Sequence, residues 1–305
     1  MGQLRTFSSL LGLAQATRST AMPRDRTLPQ FAVFGQLVGH SLSPHIHRRF
    51  AEACGIELRY TAIEVAPEHF ATRLAAFHAA GGSGANVTLP LKEQATRLCR
   101  ELSPQARLSG AVNTLVRRED GWFGDNTDGI GLCRDLRDNL GLTLAGQRVL
   151  LLGAGGAARG IVPALFDAGV AGLVVANRSP ERGIALARDL AACGRIDACA
   201  LQSLAAAGGF DVLINATSAA RQGATLALSH GLAAPAAVAY DLSYGAAARP
   251  FLAWAEAAGI TTRSDGLGML VEQAAEAFQR WHGLRPQTAT VLAELRAGQA
   301  LQTPR

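Results

Sequence analysis

The sequence has few cysteines, and their positions match no pattern that pairs them or binds a metal. None of the five is arranged as C-x-x-C; they are Cys54, Cys99, Cys133, Cys193 and Cys199. An odd, scattered set argues against both a disulfide framework and a structural zinc site. The sequence therefore favours a reducing compartment, and we expect a cytoplasmic protein.

The sequence also lacks a long hydrophobic run and a strong net charge. Its longest charge-free stretch, Gln222–Tyr240, is interrupted by glycine, proline and polar residues, so no membrane span is predicted. The net charge is +5, and +3 of it lies in residues 1–30, a basic segment that we expect to be a disordered extension. The remaining charge is too small for a nucleic-acid-binding surface.

Lysine is almost absent, because 28 of the 29 basic residues are arginine and the only lysine is Lys92. Arginine does not release its proton at working pH, whereas lysine can be tuned to do so. Lys92 is therefore a candidate for proton transfer. Composition alone leaves open that it is a chance survivor of a bias towards arginine.

What the sequence does contain is the alternation of strand and helix that is typical of an α/β protein. The chain is 49% apolar, which is too apolar for disorder, and 305 residues favour about two domains. The pattern predicts one α/β domain over residues 31–130 and a parallel-sheet domain over residues 131–266. Two terminal helices within residues 267–305 are expected to return to the first domain. One predicted helix covers Leu91–Leu102.

A glycine-rich turn opens the predicted second domain. The apolar strand Arg148–Leu152 leads into the turn and a helix over Arg159–Ala168 follows it. The turn matches the G-x-G-x-x-A fingerprint of Rossmann-type dinucleotide sites, in which helix amides bind the phosphates. The alternative is a turn that serves packing only. The predicted cofactor residues of this motif are Gly153, Ala154, Gly155, Gly156, Ala157 and Ala158.

The end of the next strand indicates which dinucleotide is preferred. An NAD site usually carries an acid there, but this strand ends with Asn177, Arg178 and Ser179, and Arg182 follows. A guanidinium pair suits the 2′-phosphate of NADP. The alternative is an exposed arginine pair that only solvates the start of a helix.

Three polar clusters occur in the first domain, at residues 39–44, 84–92 and 111–129. Ligand-contacting residues often collect at such strand ends and helix starts. Helix capping is the simpler explanation for Ser43 and Thr127 taken singly. It does not explain Lys92, Asn113 and Asp128 together. No metal site is expected, because His45 and His47 are two residues apart and so face different sides of a predicted helix.

Taken together and in this order, the motifs of residues 31–283 resemble the shikimate dehydrogenase family. They are H-S-L-S-P (40–44), N-V-T-L-P-L-K (86–92), A-V-N-T (111–114), G-D-N-T-D-G (124–129), G-A-G-G-A-A-R-G (153–160), N-R-S-P-E-R (177–182), N-A-T-S (215–218), Y-D (240–241) and D-G-L-G-M-L-V-E-Q (265–273). The resemblance implies a substrate domain, an NADP-binding Rossmann domain, and NADPH-dependent reduction of 3-dehydroshikimate to shikimate. This reaction is a step in making the aromatic amino acids.

The resemblance also implies roles for individual residues. Lys92 and Asp128 correspond to the catalytic pair, in which the ammonium would protonate the developing alkoxide. Leu242 and Gly266 lie where the nicotinamide end is held, although Leu242 departs from the methionine common there, and Ala219, Ala220 and Arg221 replace a more glycine-rich loop. The residues implied to contact the substrate are Ser41, Ser43, Thr88, Asn113, Asp128, Tyr244 and Gln273.

Two alternatives remain open from the sequence. The enzyme could accept quinate as well as shikimate, or use NAD, which Arg178 disfavours. A protein that senses a dinucleotide without turnover is the other possibility, and the presence of both Lys92 and Asp128 argues against it. We expect a monomer or homodimer, with small molecules as its only ligands.

Overall fold

The computed structural model describes residues 28–206, 208–220 and 226–302, so the predicted basic extension lies almost wholly outside the described residues. The described chain forms two six-stranded sheets, each covered by helices. This confirms the predicted α/β class. None of the helices in these ranges is long and apolar enough to cross a membrane.

The first sheet contains six strands, β1 (Gln30–Gly35), β2 (Arg59–Glu64), β3 (Gly82–Val87), β4 (Glu101–Leu102), β5 (Thr114–Arg118) and β6 (Gly121–Asp125). Five helices belong to this part, α1 (Ser43–Cys54), α2 (Pro67–Ala79), α3 (Lys92–Arg97), α4 (Pro104–Ser109) and α5 (Asp128–Arg134). A π-helical turn, Asp135–Asn139, continues α5.

The strand order of the first sheet is β2-β1-β3-β5-β6-β4. β1 pairs in parallel with β2 and β3, whereas β5 is antiparallel to both β3 and β6. Apolar side chains of the inner strands, among them Phe34 and Leu115, pack against α2 residues such as Phe70. The polar residues that follow β3 and β6 are thereby held close to those at the start of β5.

The predicted helix over Leu91–Leu102 is wrong in its second half. The helix ends at Arg97, and Glu101–Leu102 forms β4 beside β6. The amide of Arg100 donates to the carbonyl of Trp122, and the amide of Ser103 donates to that of Gly124. Pairing with a strand distant in the sequence thus overrides the helical pattern.

The second sheet contains β7 (Arg148–Leu152), β8 (Gly172–Asn177), β9 (Ile196–Ala200), β10 (Phe210–Asn215), β11 (Ala233–Asp241) and β12 (Thr262–Ser264). Its order is β12-β11-β10-β7-β8-β9, and every pair is parallel. This is the order of a Rossmann sheet, whose crevice lies beyond the carboxyl ends of β7 and β10. Its helices are α6 (Gly156–Asp167), α7 (Pro180–Asp189) and α8 (Arg249–Ala257).

The two terminal helices pack against the first part of the chain, as predicted. They are α9 (Leu267–His282) and α10 (Ala289–Gln302). One buried cluster joins Ile46 and Phe50 of α1 to Phe278 of α9 and Val291 of α10. Burying these side chains against one another removes apolar surface from water and fixes α9 beside the first sheet.

Candidate active site

Lys92 is placed at the junction of the two sheets. It begins α3 and its side chain is only 12% exposed, with Nζ donating to Oδ2 of Asp128. A side chain on Gly156, in the first turn of α6, would come within 3.2 Å of the Lys92 Cβ. The lysine therefore lies beside the start of the helix that follows the glycine-rich turn.

The second carboxylate oxygen of Asp128 accepts a hydrogen bond from Asn113. Asn113 Nδ2 donates to Asp128 Oδ1 at 2.8 Å, and it also lies 3.3 Å from Oε1 of Gln273 on α9. Asp128 and Asn113 are buried, and so is Gln273. The structure thus brings together four of the residues implied by the resemblance, from α3, α5, α9 and the start of β5.

Helix α6 approaches this cluster closely because Gly160 has no side chain. A Cβ at Gly160 would lie 2.7 Å from Asn126 Nδ2 and 3.1 Å from Asp128 Oδ2. A Cβ at Gly129 would lie 2.8 Å from the carbonyl oxygen of Gly160. These two glycines let the second domain contact the polar cluster of the first.

The helix-cap interpretation of Ser43 and Thr127 is wrong. Neither side chain makes a capping hydrogen bond to the helix that it adjoins. Thr127 Oγ1 instead accepts from Asn113 Nδ2 at 3.0 Å. The Ser43 amide donates to Ser41 Oγ at 3.2 Å, which places the two serine side chains together at the start of α1.

Thr88 and Tyr244 each lie just beyond the carboxyl end of a strand. Thr88 directly follows β3, and its amide donates to the carbonyl of Phe34. Tyr244 follows β11 and packs against the cluster that contains Ile46 and Leu267. Tyr244, which follows a strand of the second sheet, therefore contacts the apolar cluster formed by α1 and α9.

Two polar residues that the sequence analysis gave no role join the site. Asn86 is buried, and its Nδ2 donates to the carbonyl oxygen of Asn113 and to Thr114 Oγ1, both at 3.2 Å. Thr114 Oγ1 donates in turn to Asn113 Oδ1 at 2.9 Å. Both residues lie inside motifs that the resemblance quoted, so the motifs could have indicated them.

Asp125, the acid three residues before Asp128, is hydrogen-bonded to Arg280 and Ser103. Its Oδ2 accepts from Arg280 at 2.8 Å and its Oδ1 from Ser103 at 2.5 Å. Arg280 also pairs with Glu276 on α9. Asp125 therefore links β6 to α4 and α9, whereas Asp128 binds the lysine.

The glycine-rich turn has the backbone geometry that its motif predicts. Gly153 follows β7 with φ +104°, and a Cβ there would lie 3.1 Å from the backbone of Ala216, which follows β10. Helix α6 begins at Gly156 after Gly155 and has no side-chain cap. Its first amides, including those of Ala157 and Ala158, are therefore available to phosphate oxygens.

The loop after β8 holds the predicted arginines at the surface. Asn177 Nδ2 donates to the carbonyl of Ser179 at 2.8 Å, and the amide of Arg182 donates to the same carbonyl at 3.1 Å. Arg178 and Arg182 are exposed, and neither guanidinium makes an ion pair within residues 28–206, 208–220 and 226–302. Both charges are available to an anionic ligand.

Leu242 and Gly266 are also brought together. A Cβ at Gly266 would lie 2.4 Å from the Leu242 carbonyl oxygen, so only glycine fits there. Beside them, Asp241 accepts from Asn215 Nδ2 and from the amide of Ser243, both at 2.7 Å. Burial raises the pKa of Asp241 to about 6, and these hydrogen bonds offset part of that rise.

The described part of the chain contains no group of three or more His, Cys, Asp or Glu side chains that could hold a metal ion. His45 is partnered by Arg48, and His47 is buried among aromatic rings. The site is therefore an amine, a carboxylate and amides beside a glycine-rich turn.

Comparison with known protein families matches three stretches of the chain. Residues 33–115 match the shikimate dehydrogenase substrate-binding domain. Residues 136–227 match the shikimate/quinate 5-dehydrogenase family. Residues 266–296 match the shikimate 5′-dehydrogenase C-terminal domain.

Individual relatives match over most of their length. The shikimate dehydrogenase (NADP⁺) of Xanthomonas oryzae pv. oryzae is 55% identical over 274 residues, 89% of this chain and 97% of the relative. That of Stenotrophomonas maltophilia is 51% identical over 273 residues, with the same coverage of 89% and 97%.

Solved structures match over a similar share of this chain. A shikimate 5-dehydrogenase of Thermus thermophilus, crystallised with NADP(H) and shikimate, has a TM-score of 0.75 and 36% identity, over 88% of this chain and 99% of that one. The Ael1 enzyme of Pseudomonas putida has a TM-score of 0.79 and 41% identity, over 88% and 98% of the two chains.

Proposed function

The chain belongs to the shikimate dehydrogenase family and is an NADP-dependent enzyme that interconverts shikimate and 3-dehydroshikimate, and we propose that Lys92 and Asp128 carry its proton transfer. The observation that supports this assignment most is the buried contact of Lys92 Nζ with Asp128 Oδ2, beside the first turn of α6. The site joins the only amine side chain to the turn that would hold the dinucleotide.

The residues present fit NADP. The uncapped amides at the start of α6 suit a pyrophosphate, and the exposed Arg178 and Arg182 suit the 2′-phosphate. Leu242 and Gly266 would hold the nicotinamide end, since they meet beyond the carboxyl end of β11. When bound, the nicotinamide supplies a hydride to the substrate ketone or accepts one from the alcohol.

Lys92 would act on the substrate oxygen. As a ketone is reduced, negative charge builds on its oxygen, and a positioned ammonium can both stabilise that charge and donate a proton from Nζ. Asp128 orients Lys92 through Oδ2, and Asn113 fixes Asp128 through Oδ1. In the reverse direction, the same amine accepts the proton of the alcohol.

The remaining predicted contacts would bind the substrate. Ser41 and Ser43 would bind its carboxylate through their hydroxyl groups, since they lie two residues apart at the start of α1. Asn113 and Gln273 would bind the ring hydroxyls from within the buried cluster. Thr88 and Tyr244, which lie just beyond the carboxyl ends of β3 and β11, complete the proposed set.

We also propose domain limits and a cellular setting. Residues 31–130 with 267–305 would form the substrate domain, and residues 131–266 the NADP domain, in agreement with the division into two sheets. The unpaired cysteines are compatible with the cytoplasm. A monomer or homodimer is expected, and light scattering after size-exclusion chromatography measures this directly.

The function is tested by the absorbance of reduced nicotinamide. We expect shikimate to reduce NADP⁺ readily and NAD⁺ far more slowly, because an acid for the ribose hydroxyls is missing after β8. Equal rates with quinate would identify the broader quinate/shikimate activity. Binding of NADP⁺ with no turnover of either substrate would contradict catalysis and favour a dinucleotide sensor.

Cofactor choice gives a sharper prediction. Arg178→Ala should raise the KM for NADPH about tenfold to a hundredfold and change the KM for NADH little, because it removes charge-assisted hydrogen bonds to the 2′-phosphate. Steady-state kinetics with both cofactors measure this. Arg188→Ala, at an exposed arginine that pairs with Asp189 in α7, is the matched control. Equal changes for the two cofactors would contradict the role of Arg178.

A further inference from the structure

A tyrosine on the edge strand of the first sheet lies outside every motif named above, yet its hydroxyl reaches the candidate active site. Tyr60 of β2 pairs in register with Phe31 of β1, which pairs with Gly84 of β3. Asn86 is two residues further along β3 and therefore lies on the same face. The Tyr60 hydroxyl crosses above β1 and donates to Asn86 Oδ1 at 2.7 Å.

This hydrogen bond fixes which way the Asn86 amide points. Because Oδ1 accepts from Tyr60, Nδ2 is directed at the Asn113 carbonyl and at Thr114 Oγ1. Thr114 in turn orients Asn113, whose Nδ2 donates to Asp128. A continuous chain of hydrogen bonds thus runs from the edge strand to the carboxylate that holds Lys92.

The Tyr60 hydroxyl also contacts Ser43, at the start of α1. Burial raises the pKa of Tyr60 well above its usual range, and the hydrogen bond with Ser43 offsets only part of that rise, so the phenol stays protonated. The ring cannot swing away, because it stacks on His47 with centroids 4.4 Å apart and planes 8° from parallel. The hydroxyl that donates to Asn86 therefore also interacts with Ser43.

We propose that Tyr60 is a positioning residue for substrate binding. It holds Ser43 and Asn86 at a fixed spacing, and through Asn86 it orients Asn113. This inference rests on the proposed function, in which Ser43 binds the substrate carboxylate and Asn113 binds the ring hydroxyls. A small rigid ligand held at both ends loses affinity when its two sets of partners shift relative to each other.

The test removes the hydroxyl and keeps the ring. Tyr60→Phe should raise the Kd for shikimate about threefold to tenfold, the size expected for one hydrogen bond, as measured by titration calorimetry. The KM for shikimate should rise by the same factor, with the KM for NADP⁺ unchanged and kcat within about twofold, because Asn113 and Thr114 still hold Asn86. An unchanged Kd would overturn the proposal.

A double-mutant cycle separates positioning from general loosening of the fold. If Tyr60 acts partly through Ser43, Tyr60→Phe should raise the shikimate Kd by a smaller factor in a Ser43→Ala background than in the wild-type background. An equal rise in both backgrounds would show that Tyr60 acts independently of Ser43 and would contradict the proposal.

Tyr240→Phe is the matched control. It removes another tyrosine hydroxyl, which donates to Asp135 at 2.6 Å in the second domain. The variant should leave the shikimate Kd unchanged, and its Tm shows how much stability is lost with a buried tyrosine hydroxyl. Failure of the proposed function can be distinguished from failure of the Tyr60 proposal. Shikimate binding without NADP⁺ reduction would contradict the proposed function, whereas a wild-type Kd in Tyr60→Phe would contradict only the role of Tyr60.

Discussion

Lys92→Ala is expected to lower kcat by about 10²- to 10⁴-fold, the usual contribution of a positioned acid-base group. Shikimate should still bind, because Ser41, Ser43, Asn113 and Gln273 do not depend on the amine for their place in the fold. Asp128 would lose its cationic partner but keep the hydrogen bond from Asn113. The measurement is kcat at saturating shikimate and NADP⁺, together with the shikimate Kd.

Lys92→Arg separates the charge of Lys92 from its proton. Arginine keeps a cation beside Asp128 but does not release a proton at working pH. Its kcat should therefore stay close to that of Lys92→Ala, and added small primary amines should restore part of the rate in the alanine variant. Near-normal turnover of Lys92→Arg would show that Lys92 acts by its charge alone.

The Rossmann half could be predicted because its information is local. An apolar strand, a turn that needs glycine at φ +104° and a following helix occupy adjacent residues, 148–167. Parallel strands buried on both faces are apolar along their whole length, which makes them visible in the sequence. The short strands β4 and β12 were missed, since two or three residues carry no measurable period.

The candidate site could be predicted only in part, for a physical reason. Lys92 and Asp128 stand out by residue type and by motif, but their contact joins residues 36 positions apart. Tyr60 has no motif and reaches Asn86 only because β2, β1 and β3 are neighbours. Capping was the wrong interpretation of Thr127, because a local rule does not include Asn113 as a competing partner.

His47 gives the largest expected effect on stability. It is fully buried on α1, and neither ring nitrogen has a hydrogen-bond partner in the described ranges. Burial, and secondly the nearby His282, lower the pKa of His47 to about 3. An interaction with Asn86 opposes this fall but offsets only part of it. The other titratable groups that face it are Tyr60, whose pKa is raised by burial, and His282, whose pKa is lowered by burial.

The sign of the effect follows from proton linkage. The unfolded chain binds a proton at His47 near pH 6.5, whereas the folded protein takes it up only near pH 3. The contribution to stability is therefore fully present above pH 6.5 and is lost as the pH falls towards 3. A shift of this size corresponds to about 5 kcal/mol of unfolding free energy.

His47→Leu removes the titrating group but keeps an apolar side chain beside Tyr60. Urea unfolding from pH 8 to pH 4 should show the wild type losing free energy of unfolding relative to the variant, by roughly 1.4 kcal/mol for each pH unit below 6.5. Ile46→Val, the neighbouring buried residue on α1, is the control, and its cost should be the same at every pH. Parallel curves for wild type and His47→Leu would mean that His47 titrates with the same pKa in the folded and the unfolded protein, and that the aromatic stack around Tyr60 accommodates a charge.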